Sequence, residues 1–202
     1  MQNKKNKTRK LTQMALLTAI ILLMAFTPLG YLRTGVVEIT FIMIPVVVGA
    51  ILRGPGAGAI LGGVFGLTSF IQCFGMSALG AMLLQVNWFF TFVVCFVPRV
   101  LMGWLAGLIF KALYKVDKTR LVSFAVASLS GAVLNTIFFV GSLGLLFYNT
   151  VLGMAAESGI SVLAFLLSFV TLNSVLECAA CLIVGTAISK ALYKSFGSIK
   201  EQ

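Results

Sequence analysis

Lys7-Thr8-Arg9-Lys10-Leu11-Thr12-Gln13-Met14-Ala15-Leu16-Leu17-Thr18-Ala19-Ile20-Ile21-Leu22-Leu23-Met24 decides the class of fold. A cluster of cations gives way at Leu11 to an apolar run that continues to about Leu29. At about 1.5 Å per residue such a helix nearly spans the ~30 Å hydrocarbon core of a bilayer. A start of this kind can be a signal peptide. No small-x-small cleavage site follows, however, and further apolar runs do, so the run reads as a retained first helix. The whole chain agrees: 60% of 202 residues are hydrophobic, 10% are charged, and mean hydropathy is +1.09. A soluble domain carries roughly 25% charged residues. This chain has too little polar surface to face water on all sides, so lipid is its solvent.

Reading outward, the apolar segments cover about 11–29, 41–52, 57–74, 87–114, 121–147 and 160–193. They predict an all-α integral membrane protein of six transmembrane helices, forming a single membrane domain over 1–202. The second segment is short for a crossing, and any error in the span count belongs at the second and third. The intervening stretches Tyr31–Thr40, Gly75–Gln85 and Tyr148–Gly159 read as connections. Arg53-Gly54-Pro55-Gly56 is a turn, by its Gly and Pro. The third segment is rich in glycine (Gly58, Gly62, Gly63, Gly66), which lets helices approach closely in lipid. Of the 15 Lys and Arg residues, Arg33 and Arg99 alone fall away from one side of this layout. That bias predicts cytoplasmic N- and C-termini.

The formal charge of +10 would suggest nucleic acid in a soluble protein. Here the cations flank apolar runs and encode topology instead. There is no histidine, which removes Ser-His hydrolases and histidine proton relays. Cys73, Cys95, Cys178 and Cys181 all lie in apolar stretches and read as buried small hydrophobes, the C-x-x-C at 178–181 included. No P-loop is present, and Asp117 is the single aspartate, so neither ATP binding through such a loop nor a multi-carboxylate metal site is encoded. No cofactor is expected.

Ionisable groups deep in a membrane segment are costly and usually face a cavity or a partner. Arg99 lies about a dozen residues into the fourth helix, or roughly 18 Å from its start. Glu177 lies at a comparable depth in the sixth, with Asn173 one turn away on the same face. Asn135 is near the middle of the fifth. Four polar side chains from three helices thus converge on one level. One reading is a ligand pocket: Arg99 for a carboxylate, Asn135 and Asn173 for orientation, Glu177 for Arg99 or a ligand hydroxyl. The other is an Arg99–Glu177 structural ion pair with amides as glue between helices. Gln72, Asn87 and Trp88 are placed to line the mouth of a pocket, though a lone Trp is also an interfacial anchor. In the first helix, Ala15 and Ala19 form A-x-x-x-A, a smooth face for another helix or for internal packing.

These motifs in order resemble a known family. They are the A-x-x-x-A first helix, Ile44-Pro45-Val46-Val47-Val48-Gly49-Ala50, Gly54-Pro55-Gly56-Ala57-Gly58-Ala59 and Gly66-Leu67-Thr68-Ser69-Phe70. Pro98-Arg99-Val100-Leu101-Met102-Gly103, Leu134-Asn135-Thr136 and Asn173-Ser174-Val175-Leu176-Glu177 complete the set. Together they are similar to the substrate-binding S component of energy-coupling factor (ECF) transporters, the bacterial vitamin importers. The resemblance implies six helices in the cell membrane, a vitamin site near the outer surface and lids from the first, third and fifth loops. It also implies docking through Ala15 and Ala19 onto a transmembrane coupling protein driven by two ATPases, with the loaded subunit toppling in the membrane. The chain itself is then no enzyme. Pro98-Arg99, Leu134-Asn135-Thr136 and Asn173…Glu177 look closest to the pantothenate type, with folate, riboflavin or cobalamin as alternatives. Two other classes stay open on the residues alone. An intramembrane hydrolase would need a Ser-Lys pair, yet the lysines lie at the helix edges. A membrane scaffold subunit would need no ligand.

Overall fold

The structure is a computed structural model that describes residues 2–28, 30–34, 37–117 and 121–196. Its elements in chain order are α1 (Gln2–Phe26), the strands β1 (Tyr31–Thr34) and β2 (Val37–Thr40), α2 (Met43–Arg53), α3 (Pro55–Gln72) and α4 (Ala78–Val86). They continue with α5 (Trp88–Leu113), α6 (Val122–Leu146), α7 (Tyr148–Glu157) and α8 (Val162–Ala180). A π-helical segment, Cys181–Gly185, joins α8 to α9 (Thr186–Phe196). The architecture is an all-helical bundle carrying one small antiparallel hairpin, in which Tyr31 pairs with Thr40 and Thr34 with Val37.

Helix α2 sits at the centre of the bundle. Every residue from Met43 to Ile51 is buried, as befits a helix that is hydrophobic all round. It stops at Gly54, whose φ of 93° is open to glycine, and α3 restarts at once with Pro55, which needs no amide hydrogen in the first turn. Helices α3 and α5 then run in close contact. A Cβ on Gly58 would strike the carbonyl oxygen of Gly103, and one on Gly62 that of Arg99. At Gly66 it would lie 2.8 Å from the Phe96 Cα. Lipid offers no hydrophobic drive for helix association, so this backbone-to-backbone fit holds the pair together.

The two ends of the bundle differ in chemistry. At one, Arg9 lies close enough for its charge to act on Arg53, and Phe110, Tyr114, Phe124 and Tyr193 cluster with ring centroids 5.0 to 5.9 Å apart in the pairs Phe110–Phe124, Tyr114–Tyr193 and Phe110–Tyr193. This basic end gathers the C-termini of α2, α5 and α9 with the start of α6. Asp117 accepts hydrogen bonds there from the Ser123 N–H and hydroxyl, both at 2.7 Å, and so anchors the first turn of α6. The opposite, hairpin end holds a second small core of Leu83, Val94, Leu143, Phe147 and Val151.

The structure adds detail to the expected layout. Six full spans were anticipated. Among the described residues four helices are long and apolar enough to cross a membrane: Thr8–Phe26, Trp88–Leu113, Val122–Leu146 and Ser174–Ser195. The count is five if α7 and Val162–Ser168, which meet at 90°, form one broken span. Helix α2, with 11 residues, rises only about 16 Å. Helix α3 has 18 residues, but its glycines dilute its hydropathy. The connections also carry structure. Tyr31–Thr40 contains the hairpin, Gly75–Gln85 contains most of α4, and Tyr148–Gly159 contains α7. Ser77 caps α4 by accepting from the Gly80 N–H at 3.2 Å. The last helix, expected as one piece over 160–193, is interrupted by the π-helical segment, where Gly185 packs against Ser128 of α6.

Candidate ligand site at the hairpin end

Arg99 belongs to the α5 face that Gly62 and Gly66 bring against α3. Its side chain is enclosed: it is 8% exposed, with the guanidinium carbon 5.5 Å from the Phe65 ring centroid and 4.8 Å from that of Phe139. Aromatic faces suit a cation held away from water. Nη1 donates to the Val94 carbonyl at 2.8 Å, while Nε is buried with no hydrogen-bond partner among the described residues. The alternative of a structural Arg99–Glu177 ion pair does not form directly among the described residues, although Arg99 is near enough for its charge to act on Glu177.

Glu177 is buried on α8 and commits one oxygen to the backbone: Oε1 accepts from the Thr40 N–H at 2.8 Å. Asn135, also buried, projects from α6 with Oδ1 unpartnered among the described residues. One turn on, Phe139 is the residue that covers Arg99. Thr136 beside it shares a hydrogen bond of 3.1 Å with Ser174 of α8. The side chain of Asn173 lies outside the described residues.

The flanking candidates are placed differently. Gln72 is buried at the end of α3, where Nε2 donates to the Ala25 carbonyl of α1. Asn87 caps α5, its Oδ1 accepting from the N–H groups of Phe89 at 3.0 Å and Phe90 at 3.1 Å. Trp88 is exposed, its ring set edge-on to Phe89. Ala15 and Ala19 lie exposed on α1.

Three contributors escaped the sequence reading. Phe65 and Phe139 enclose Arg99, and Thr40 engages Glu177. Phe139 was within reach, since it stands four residues from Asn135 on one helix face. Thr40 was not, because no local pattern couples it to a residue 137 positions away. Of the cysteines, Cys73 and Cys95 are buried with their sulfurs 3.7 Å apart and Cys181 is buried at the start of the π-helical segment, whereas Cys178, expected to be buried, is half-buried.

Arg99 Nε and Asn135 Oδ1, each buried without a hydrogen-bond partner among the described residues, have the chemistry to meet an anion that also carries a hydrogen-bond donor. Comparison with known proteins agrees with a transport role. Residues 9–189 match the family described as ECF transporter, substrate-specific component. The chain belongs to this family. It is 30% identical over 202 residues to the pantothenate transporter PanT of Leuconostoc mesenteroides, covering 93% of each chain. To the pantothenic acid transporter PanT of Lactococcus lactis subsp. cremoris it is 29% identical over 171 residues, covering 79% of this chain and 80% of that one. This ECF substrate-specific component is therefore a multi-pass membrane protein and the binding subunit of a transporter, not an enzyme.

Proposed function

We propose that this substrate-specific component binds pantothenate and delivers it to an ECF module for import across the bacterial cell membrane. The observation that carries the reading is that two buried groups of the candidate set, Arg99 Nε and Asn135 Oδ1, have no hydrogen-bond partner among the described residues. Pantothenate offers a carboxylate to the first and amide or hydroxyl hydrogens to the second. The names of the two relatives point the same way. In this reading Asn173, four positions before Glu177 in the sequence, is assigned to orienting the ligand, with Glu177 at the wall and Trp88 at the rim.

In this reading six membrane segments are completed by the short α2 together with its hairpin, and by α3. Both termini lie in the cytoplasm at the basic end, as the Lys and Arg distribution requires. The exposed Ala15–Ala19 face of α1 docks on a transmembrane coupling protein powered by two ATPases, and the loaded subunit topples to release its cargo inward.

The test is calorimetric titration of the purified chain with pantothenate, pantothenol, folate, riboflavin and cobalamin. Pantothenate is expected to bind with Kd below about 1 μM, roughly −8 kcal/mol. Pantothenol, which lacks the carboxylate, is expected to bind about tenfold or more weaker, one charge-assisted hydrogen bond being at stake. Preference for another vitamin, or indifference to the carboxylate, overturns the assignment.

A further inference from the structure

We propose that Cys73 and Cys95 are a redox-sensitive pair, which a peroxide joins in a disulfide that ties α3 to α5 near the hairpin end of the bundle. Cys73 is the C-terminal cap of α3, and Cys95 stands two turns into α5. Both are buried, at 3% and 6% exposure, and their sulfurs meet across the two helices at 3.7 Å. A disulfide needs about 2.05 Å between sulfurs, so closure requires an approach of about 1.7 Å. Two neighbours hold the Cys73 side chain in place for it. Its thiol donates to the Ser69 carbonyl at 3.4 Å, which turns it back along α3. On another flank Gly80 of α4 packs so closely that a Cβ there would lie 2.6 Å from the sulfur. By contrast, Cys178 and Cys181 lie three positions apart on one helix, where a bond would tie no two elements together.

The location suits a lasting disulfide. Val94, next to Cys95, belongs to the small core of the hairpin end. The basic end is the cytoplasmic one in the topology proposed above, so the pair lies away from the reducing thiol pools of the cytoplasm. Phe74, Gly75 and Met76, directly after Cys73, are exposed, and hydrogen peroxide is small and uncharged. The Cys73 thiol, nearest that turn, attacks one peroxide oxygen. An S–O bond forms, the O–O bond breaks, and water leaves a sulfenic acid on Cys73. The Cys95 thiol then attacks the Cys73 sulfur. The S–S bond forms, the S–O bond breaks, and a second water leaves with the thiol proton. The two thiols together lose two electrons, and one hydrogen peroxide is reduced to two waters.

The bond extends a hold that the glycines begin. Gly58, Gly62 and Gly66 bring α3 and α5 together backbone to backbone, and the rings of Phe70 and Phe92 continue the contact edge-on at 5.2 Å. A covalent link beyond them closes a loop of chain that runs through α4, and so restricts the unfolded state.

The test uses the full chain in detergent, reduced with dithiothreitol and then treated with hydrogen peroxide. Alkylation under denaturing conditions is expected to fall from four cysteines to two, and mass spectrometry of a digest to find one peptide linking Cys73 to Cys95. The unfolding midpoint is expected to rise by about 5 °C or more, and dithiothreitol to reverse the rise. Cys95→Ser is expected to lose both the link and the rise, while Cys178→Ser keeps them. If Cys95→Ser does not fold, the wild type with and without dithiothreitol makes the same comparison. Four alkylated cysteines after peroxide, sulfinic acid at Cys73 or Cys95, or a link between Cys178 and Cys181 instead would each overturn the proposal. A Cys73–Cys95 link that leaves the midpoint unchanged or lowers it would overturn the tie between the helices.

Discussion

Replacing Arg99 by methionine separates a binding role from a bracing role, because the two make opposite demands on stability. Among the described residues the guanidinium has one hydrogen bond, to the Val94 carbonyl at 2.8 Å, two aromatic neighbours and an unpaired Nε. The ring contacts contribute about 0.5–1 kcal/mol each. The cost of keeping an incompletely partnered charge out of water is several kcal/mol. Methionine fills much of the same volume and adapts to aromatic neighbours. The empty protein is therefore expected to keep its stability or to gain about 1–3 kcal/mol, as when buried charges elsewhere are exchanged for apolar groups. Binding should move the other way. A ligand carboxylate paired with Arg99 contributes about 1.5–3 kcal/mol per charged hydrogen bond, so its loss raises Kd by about 10- to 150-fold. Thermal unfolding in one detergent, followed by tryptophan fluorescence, reads the first quantity, and calorimetric titration with pantothenate reads the second. Arg99→Lys keeps the charge but not the planar fork and should fall between wild type and methionine in affinity. A methionine variant that unfolds several degrees earlier yet binds normally would refute the reasoning and assign Arg99 to structure.

Other consequences follow from the same geometry. Asn135→Leu is expected to weaken pantothenate binding by about 1–2 kcal/mol, with no loss of thermal stability, since its Oδ1 has no partner to lose among the described residues; equilibrium dialysis and thermal unfolding check the two halves. Gly62→Val places a side chain against the Arg99 carbonyl and should destabilise the bundle by about 1–3 kcal/mol or more, seen as a lowered unfolding midpoint in detergent. Ala15→Leu with Ala19→Leu bulks an exposed face of α1, so ligand affinity should be retained while co-purification with the coupling protein and ATPases, and vitamin uptake, are lost. Asp117→Ala removes two hydrogen bonds from the start of α6 and should cost about 1 kcal/mol of stability, without effect on affinity at the far end.

What could be read from the sequence was whatever depends on neighbours along the chain. The apolar runs placed α1, α5 and α6 because hydropathy needs only a window of consecutive residues. The burial of Arg99, Asn135 and Glu177 followed from their places well inside apolar helices. Beyond that, pairing decides. Arg99 and Glu177 looked like partners because opposite charges at one depth are the obvious match. The structure gives Glu177 to the Thr40 amide and Arg99 to two phenylalanine faces. Gln72 and Asn87 looked like ligand groups because amides are scarce in apolar helices. Their polar atoms instead meet backbone groups at the ends of α1 and α5. In each case a buried backbone group at a chain break competed for the side chain, and the position of the break in space was not encoded in the window around it.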